Sequence, residues 1–234
     1  MFFYDYYWLA LIPLVIAMLA SWNVKSTYSK YQKIRNGRGL TGAMAARQIL
    51  DANGLTNIPI EHISGELSDH FDPRSNVVRL SDSTYNISSV AAVGVAAHEV
   101  GHALQYANNY TPMKLRSAII PLTNIGSTLS YPLVLIGIIM GNSYVGDFFV
   151  NAGIILFLAV VLFQFATLFV EFNASARAMK TLDSYKILEG NELKMSRKVL
   201  TAAALTYVAA LFTAVVNLLR LILIASGRNR NGRD

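Results

Sequence analysis

The segment His98-Glu99-Val100-Gly101-His102 sets two imidazoles four residues apart and places a carboxylate directly after the first. On a helix, positions i and i+4 lie one above the other, so both rings can reach a single ion, while the next side chain points about 100° round the axis. Glu99 can then touch a metal-bound water without ligating the metal, which is what a hydrolytic zinc site requires. The chain has 4 histidines and no cysteine, so a transition metal must rely on histidine and carboxylate ligands, and Zn2+ is the expected ion. The plainer alternative is a core helix whose histidines only hydrogen-bond. Against it stands the preceding run Val90-Ala-Ala-Val-Gly-Val-Ala-Ala97, beside which three polar groups are costly to bury without a partner such as a metal.

A catalytic zinc takes three protein ligands and keeps a fourth position for water. Glu171 is the candidate third ligand, because it directly follows the apolar run Phe148 to Val170 and the topology below returns the chain there to the membrane face of His98 and His102. Asp69, Asp72 and Asp183 are the fallback ligands. The expected chemistry is attack of water on a peptide carbonyl, with Glu99 accepting the water proton and returning it to the leaving amine. Arg177, Tyr85 and His70 are unranked candidates for stabilising the oxyanion. The strand Asn76 to Leu80, with Asn76, Val78 and Leu80 as contact positions, is a candidate edge for an extended substrate, alongside the equal alternative of a plain structural strand. His70 with Asp72 reads as a solvated turn rather than a second metal site.

The elements that must position these groups belong to a membrane protein. Hydrophobic residues make up 53% of the chain and charged ones 15%, which is far from soluble usage. The formal charge of +6 is accounted for by basic loops held in the cytoplasm rather than by a nucleic-acid partner. Apolar runs at about Tyr6–Trp22, Ala118–Met140, Phe148–Val170 and Leu200–Ile224 are each read as a span of a hydrocarbon core roughly 30 Å thick. Lys25, Lys30, Lys33, Arg35 and Arg38 follow the first run, and Arg177, Lys180, Lys186, Lys194, Arg197 and Lys198 follow the third, so both connections are expected inside. Arg228, Arg230 and Arg233 after the last run, and Arg220 within it, disagree with a strict four-span count.

The expected fold is mainly α and integral to the membrane, with about four transmembrane helices, a zincin-like helical catalytic region and a small β-sheet. Its parts are an anchor (1–22), a cytoplasmic catalytic region (23–113), two spans (114–170), a cytoplasmic helix carrying the third ligand (171–199), and a last span with a basic tail (200–234). Within the catalytic region Thr41 is read as the cap of a helix ending near Asn53-Gly54, Ile58–Ile63 and Asn76–Ser81 as strands, and Ser88–Ala107 as the metal helix. The partners are the lipid bilayer and a peptide or membrane-protein substrate, and the place is the plasma membrane, multi-pass, with the active site facing the cytoplasm. A catalytically silent zinc-binding scaffold and a channel or transporter remain the competing readings, the latter opposed by the lack of an inverted repeat.

Three stretches carry a family resemblance. Ala96-Ala-His-Glu-Val-Gly-His-Ala-Leu-Gln105, Val170-Glu-Phe-Asn-Ala-Ser-Ala-Arg-Ala178 and Asp69-His-Phe-Asp-Pro-Arg-Ser-Asn-Val-Val-Arg-Leu80 resemble the YugP-type neutral zinc metallopeptidases of bacteria, as does Leu205-Thr-Tyr-Val-Ala-Ala-Leu211. The Glu-Phe-x-Ala pattern is more distantly similar to the membrane gluzincins that include HtpX and the CAAX prenyl proteases. The resemblance implies a zinc endopeptidase with a glutamate as third ligand, which maps onto Glu171. Those relatives place an aspartate four residues after the ligand glutamate, to orient a zinc histidine; here that position is Ser175, which can still bond an imidazole.

Overall fold

The computed structural model describes residues 8–230; residues 1–7, where the first apolar run begins, and Arg233 lie outside them. A single 3₁₀ turn, Trp8–Ala10, leads into six helices: α1 (Leu11–Tyr31), α2 (Gly42–Ala52), α3 (Val90–Ala107), α4 (Thr111–Ile139), α5 (Tyr144–Ser184) and α6 (Gly190–Arg230). Three short strands, β1 (Ile60–Ile63), β2 (His70–Asp72) and β3 (Val77–Ser81), lie between α2 and α3. The chain is therefore mainly helical with a small sheet, and it divides into two compact units.

One unit takes the chain up to Ala20, Lys114–Leu168 and the part from Tyr207 on. Many of its large apolar side chains point outward: Ile139, Phe148 and Ile155 are 76%, 63% and 67% exposed. Inside lies a small cluster of Val134, Phe157 and Leu221, and small residues set the contacts between helices. A side chain added at Gly137 would meet the carbonyl oxygen of Gly146 at 2.6 Å, and one at Gly153 would meet that of Ser130 at 2.7 Å, so α4 and α5 touch backbone to backbone. Pro121 and Pro132 sit inside α4 without dividing it into two helices. Such outward exposure suits lipid rather than water.

Three helices among the described residues are long and apolar enough to cross a membrane: Thr111–Ile139, Tyr144–Ser184 and the stretch Gly190–Gly227. Helix α1 is not one of them, because Asn23, Lys25 and Lys30 occupy its second half. The stretch expected as a separate helix over 171–199 is also drawn differently. Glu171 lies within α5, which runs on to Ser184, and Lys194, Arg197 and Lys198 lie within α6. The loss of hydrophobicity after Val170 does not end a helix; the turn at 185–189, with Lys186 in the left-handed region at φ 54°, does.

The other unit takes Ser21–Met113 and Phe169–Thr206 and has an ordinary apolar core, in which Ile49, Leu50, Leu80, Val90 and Val93 are fully buried. Thr41 caps α2 by accepting from Met44 N at 3.2 Å, and Ser89 caps α3 by accepting from Ala92 N at 3.1 Å. The sheet order is β1-β3-β2, with β1 parallel and β2 antiparallel to β3. This corrects the reading of Asn76, Val78 and Leu80 as a substrate edge. Strand β3 is the middle strand with both edges paired, Val78 and Leu80 are fully buried, and Asn76 forms the left-handed turn before it at φ 53°. The Arg79 guanidinium ties the sheet together, meeting Glu61 on β1 and Asp72 on β2, each at 2.9 Å.

Candidate metal centre

Helix α3 brings His98 and His102 onto one face, with ring nitrogens Nε2 3.2 Å apart. Helix α5 supplies Glu171, whose Oε2 lies 3.2 Å from His98 Nε2 and 3.5 Å from His102 Nε2. The three side chains offer ligand atoms within 4.8 Å of one another and form the one such cluster among the described residues. Glu171 is 5% exposed, and its carboxylate faces the two imidazoles. A buried carboxylate facing two ring nitrogens is the donor set a divalent zinc ion takes.

The two helices meet this closely because of Gly101, inside the His-x-x-x-His spacing. A side chain there would lie 2.6 Å from the carbonyl oxygen of Ala174 and 3.2 Å from its Cα, so only hydrogen leaves room for α5. One face further up α3, Gly94 approaches the Ser196 hydroxyl of α6 in the same way. Close contact at Gly101 is what carries Glu171, three residues before Ala174 on α5, to the histidines.

Each histidine is held from behind. His98 Nδ1 lies 3.1 Å from Ser175 Oγ, so the serine at the place of the relatives' aspartate does contact the imidazole. His102 Nδ1 lies 3.0 Å from Gln105 Oε1. With both Nδ1 atoms engaged, both Nε2 atoms face Glu171. Burial opposes protonation of His102, but bonds to Glu171 and the nearby Glu99 charge outweigh it and raise its pKa above the ordinary value.

Glu99 stands apart from this cluster. Its Oε2 accepts a hydrogen bond from the backbone N–H of Phe71 at 3.1 Å, and its residue is 8% exposed. Strand β2 is held against α3 at this point by the Phe71 and Tyr106 rings, 5.8 Å apart. The carboxylate is thus aimed by a sheet edge rather than by the ligand set.

The remaining candidates are placed elsewhere or otherwise engaged. His70 is exposed on β2, with Nδ1 2.9 Å from Ser68 O; it neighbours Phe71 in sequence but not the ligand cluster. Tyr85 sets its ring 5.1 Å from that of His62, tilted by 46°. Arg177 donates from Nε to Asn173 Oδ1 at 2.8 Å and lies over the Tyr110 ring at 5.8 Å. Of the fallback ligands, Asp69 holds Ser81 through both carboxylate oxygens, and Asp72 is held well below the usual carboxylate range by Ser75 and Arg79. Sequence reasoning missed three participants: Gln105, Asn173 and the backbone N–H of Phe71. Gln105 carried a signal, since it lies three residues after His102 on the same helix face.

Set against known proteins, residues 6–226 match the family described as "Putative neutral zinc metallopeptidase". The chain belongs to that family. It is also 44% identical over 224 residues to "Putative membrane protease YugP" of Bacillus subtilis (strain 168), an alignment covering 95% of this chain and 98% of the relative. No solved structure matches. Membership implies zinc as the cofactor, and the cluster on α3 and α5 is where this chain can hold it.

Proposed function

We propose that the chain is a membrane-embedded zinc endopeptidase, multi-pass in the plasma membrane, that hydrolyses peptide bonds at the cytoplasmic face. The observation that carries this reading is the division of labour between His98, His102 and Glu171, which converge, and Glu99, which is held separately on Phe71 N–H. His98, His102 and Glu171 would hold the ion through two Nε2 atoms and a carboxylate oxygen. Bound there, zinc supplies a Lewis acid and lowers the pKa of water toward about 7.

The protein's own part is acid–base work and orientation. Glu99 takes a proton from the attacking water and gives it to the amine of the cleaved bond; the Phe71 N–H keeps its carboxylate turned to the reacting side of α3 between these events. Ser175 and Gln105 keep the two rings aligned. An extended substrate has the outer edge of β2 beside Glu99, in place of the edge first sought on β3.

Helix α1 serves as a fourth span in this reading, since Leu11, Leu14, Val15, Met18 and Leu19 are all exposed on it. The basic segments 25–38 and 177–198 support the cytoplasmic orientation. The decisive experiment replaces Glu99 with glutamine. Cleavage of peptide by the purified protein should fall by about 10²–10⁴-fold with zinc content unchanged. Persistent cleavage in the metal-loaded variant would remove Glu99 as the base, and a wild-type protein that binds zinc without cutting any peptide would favour the silent scaffold.

A further inference from the structure

Behind His102 runs a line of amide and guanidinium groups, from buried Gln105 to half-buried Asn173 and Arg177, that hydrolysis itself does not use. Gln105 is fully buried, and its Nε2 lies 2.7 Å from the Val170 carbonyl oxygen and 3.0 Å from Asn173 Oδ1. Which end of an amide is which follows from its partners. The Val170 carbonyl can only accept, so the atom facing it must be the NH2 group. The other end, Oε1, therefore faces His102 Nδ1 at 3.0 Å and can only accept in turn. His102 Nδ1 must carry the hydrogen, which in the neutral ring leaves the lone pair on Nε2, the atom that faces Glu171. Asn173 Oδ1 also accepts from Arg177 Nε, whose guanidinium rests on the Tyr110 ring.

We infer that Gln105 is a positioning residue that locks His102 in the Nδ1–H form and ties α3 to α5 beside Glu171, so that both ligands face one point before an ion arrives. The inference rests on the zinc reading above. His98 is not locked in this way, because the Ser175 hydroxyl before its Nδ1 can donate or accept. Arg177 gains a role different from the one its charge suggested: its Nε supports Asn173, two hydrogen bonds behind a metal ligand. Asn173 and Arg177 sit at positions two and six after Glu171 on the same helix, so one stretch of α5 provides both a ligand and the support for another ligand.

The test is a long-range proton–nitrogen NMR spectrum of detergent-solubilised, full-length, zinc-loaded protein labelled with 15N-histidine; with 4 histidines in the chain, every ring can be assigned by single replacement. The expected spectrum shows His102 with a protonated, slowly exchanging Nδ1 and a metal-shifted Nε2. Gln105→Met keeps the length of the side chain and removes its bonds; it should lose that Nδ1–H signal and weaken zinc binding, measured by chelator competition, by about 10–100-fold. Gln105→Glu keeps an acceptor toward His102 and should keep the signal. Were Gln105 only a structural rivet, both variants would melt at lower temperature while Gln105→Met kept the Nδ1–H signal and wild-type zinc affinity, which overturns the inference. Coordination through Nδ1 in the wild-type protein overturns it without any variant. If zinc shifts neither the His98 nor the His102 ring, the zinc reading fails and takes this inference with it, an outcome distinct from the other two.

Discussion

The two compact units of this chain follow opposite rules of assembly. In the unit built from Lys114–Leu168 and its companions, large side chains such as Ile139 and Ile155 face outward and glycines 137 and 153 line the contact between helices. In the unit built from Ser21–Met113 and Phe169–Thr206, Ile49, Leu50, Val78 and Leu80 are fully buried, and so are polar groups such as Gln105 and Ser196. The difference follows from the solvent. Where lipid is as apolar as leucine, nothing is gained by hiding leucine, so close backbone approach does the work. Where large apolar side chains are buried together, that burial supplies the stability, and it can then accommodate the few buried polar groups that a metal centre needs.

Predictions that probe this contrast begin with the largest. Glu171→Ala should weaken zinc binding by more than the roughly 10–100-fold expected for a supporting residue, measured by chelator competition, while the protein stays in the membrane fraction; unaltered affinity would remove Glu171 from the ligand set. Next, Leu50→Ala should destabilise its unit by about 2–5 kcal/mol, whereas Ile155→Ala, at a side chain 67% exposed, should change stability by no more than about 0.5 kcal/mol. Equal effects in a denaturant series followed by protease susceptibility would erase the contrast.

Gly101→Ala tests the point where the unit with the apolar core uses the close backbone packing seen in the other. A methyl group 2.6 Å from the Ala174 carbonyl oxygen must push α5 away, at about 1–3 kcal/mol, and zinc affinity should fall with it. The smallest effect concerns pH in chelator-treated protein. The His102 pKa is raised in the fold, so the stability contributed by its proton is complete below the ordinary histidine value of about 6.5 and is lost as pH rises through the higher folded value. Thermal melts of metal-free protein should therefore shift downward between those limits. His102→Gln should flatten that shift.

Much of this arrangement was legible in the residues, for reasons that can be named. The metal helix was expected over Ser88–Ala107 and spans Val90–Ala107, because an alanine-rich run of that length has only one regular solution and Ser89 marks its start. Glu171 was legible from topology alone, as the first charge after a long apolar run. Strand β2 was not, since His70–Asp72 is too short to show alternation and was taken for a turn. Its absence from the expected sheet is what made β3 look like an edge. Gln105 shows its place beside His102 by spacing but not its role, and Asn173 shows neither, because a neutral amide announces no chemistry by its type; its role depends on which carbonyl lies opposite, and that is set by tertiary contact. The second half of α5 was misjudged because polarity was read as a boundary, although a helix can pass from one solvent to another without breaking.

The meeting of Gly101 with the Ala174 carbonyl also bears on transplantation. A helix carrying two histidines and a glutamate at the right spacing could be copied into almost any bundle. Here the spacing works only because the fourth residue of the motif has no side chain and a particular stretch of backbone lies against it. The smallest portable piece is therefore a pair of helices in contact, and a designer who borrowed five residues would obtain two histidines without the carboxylate that completes them.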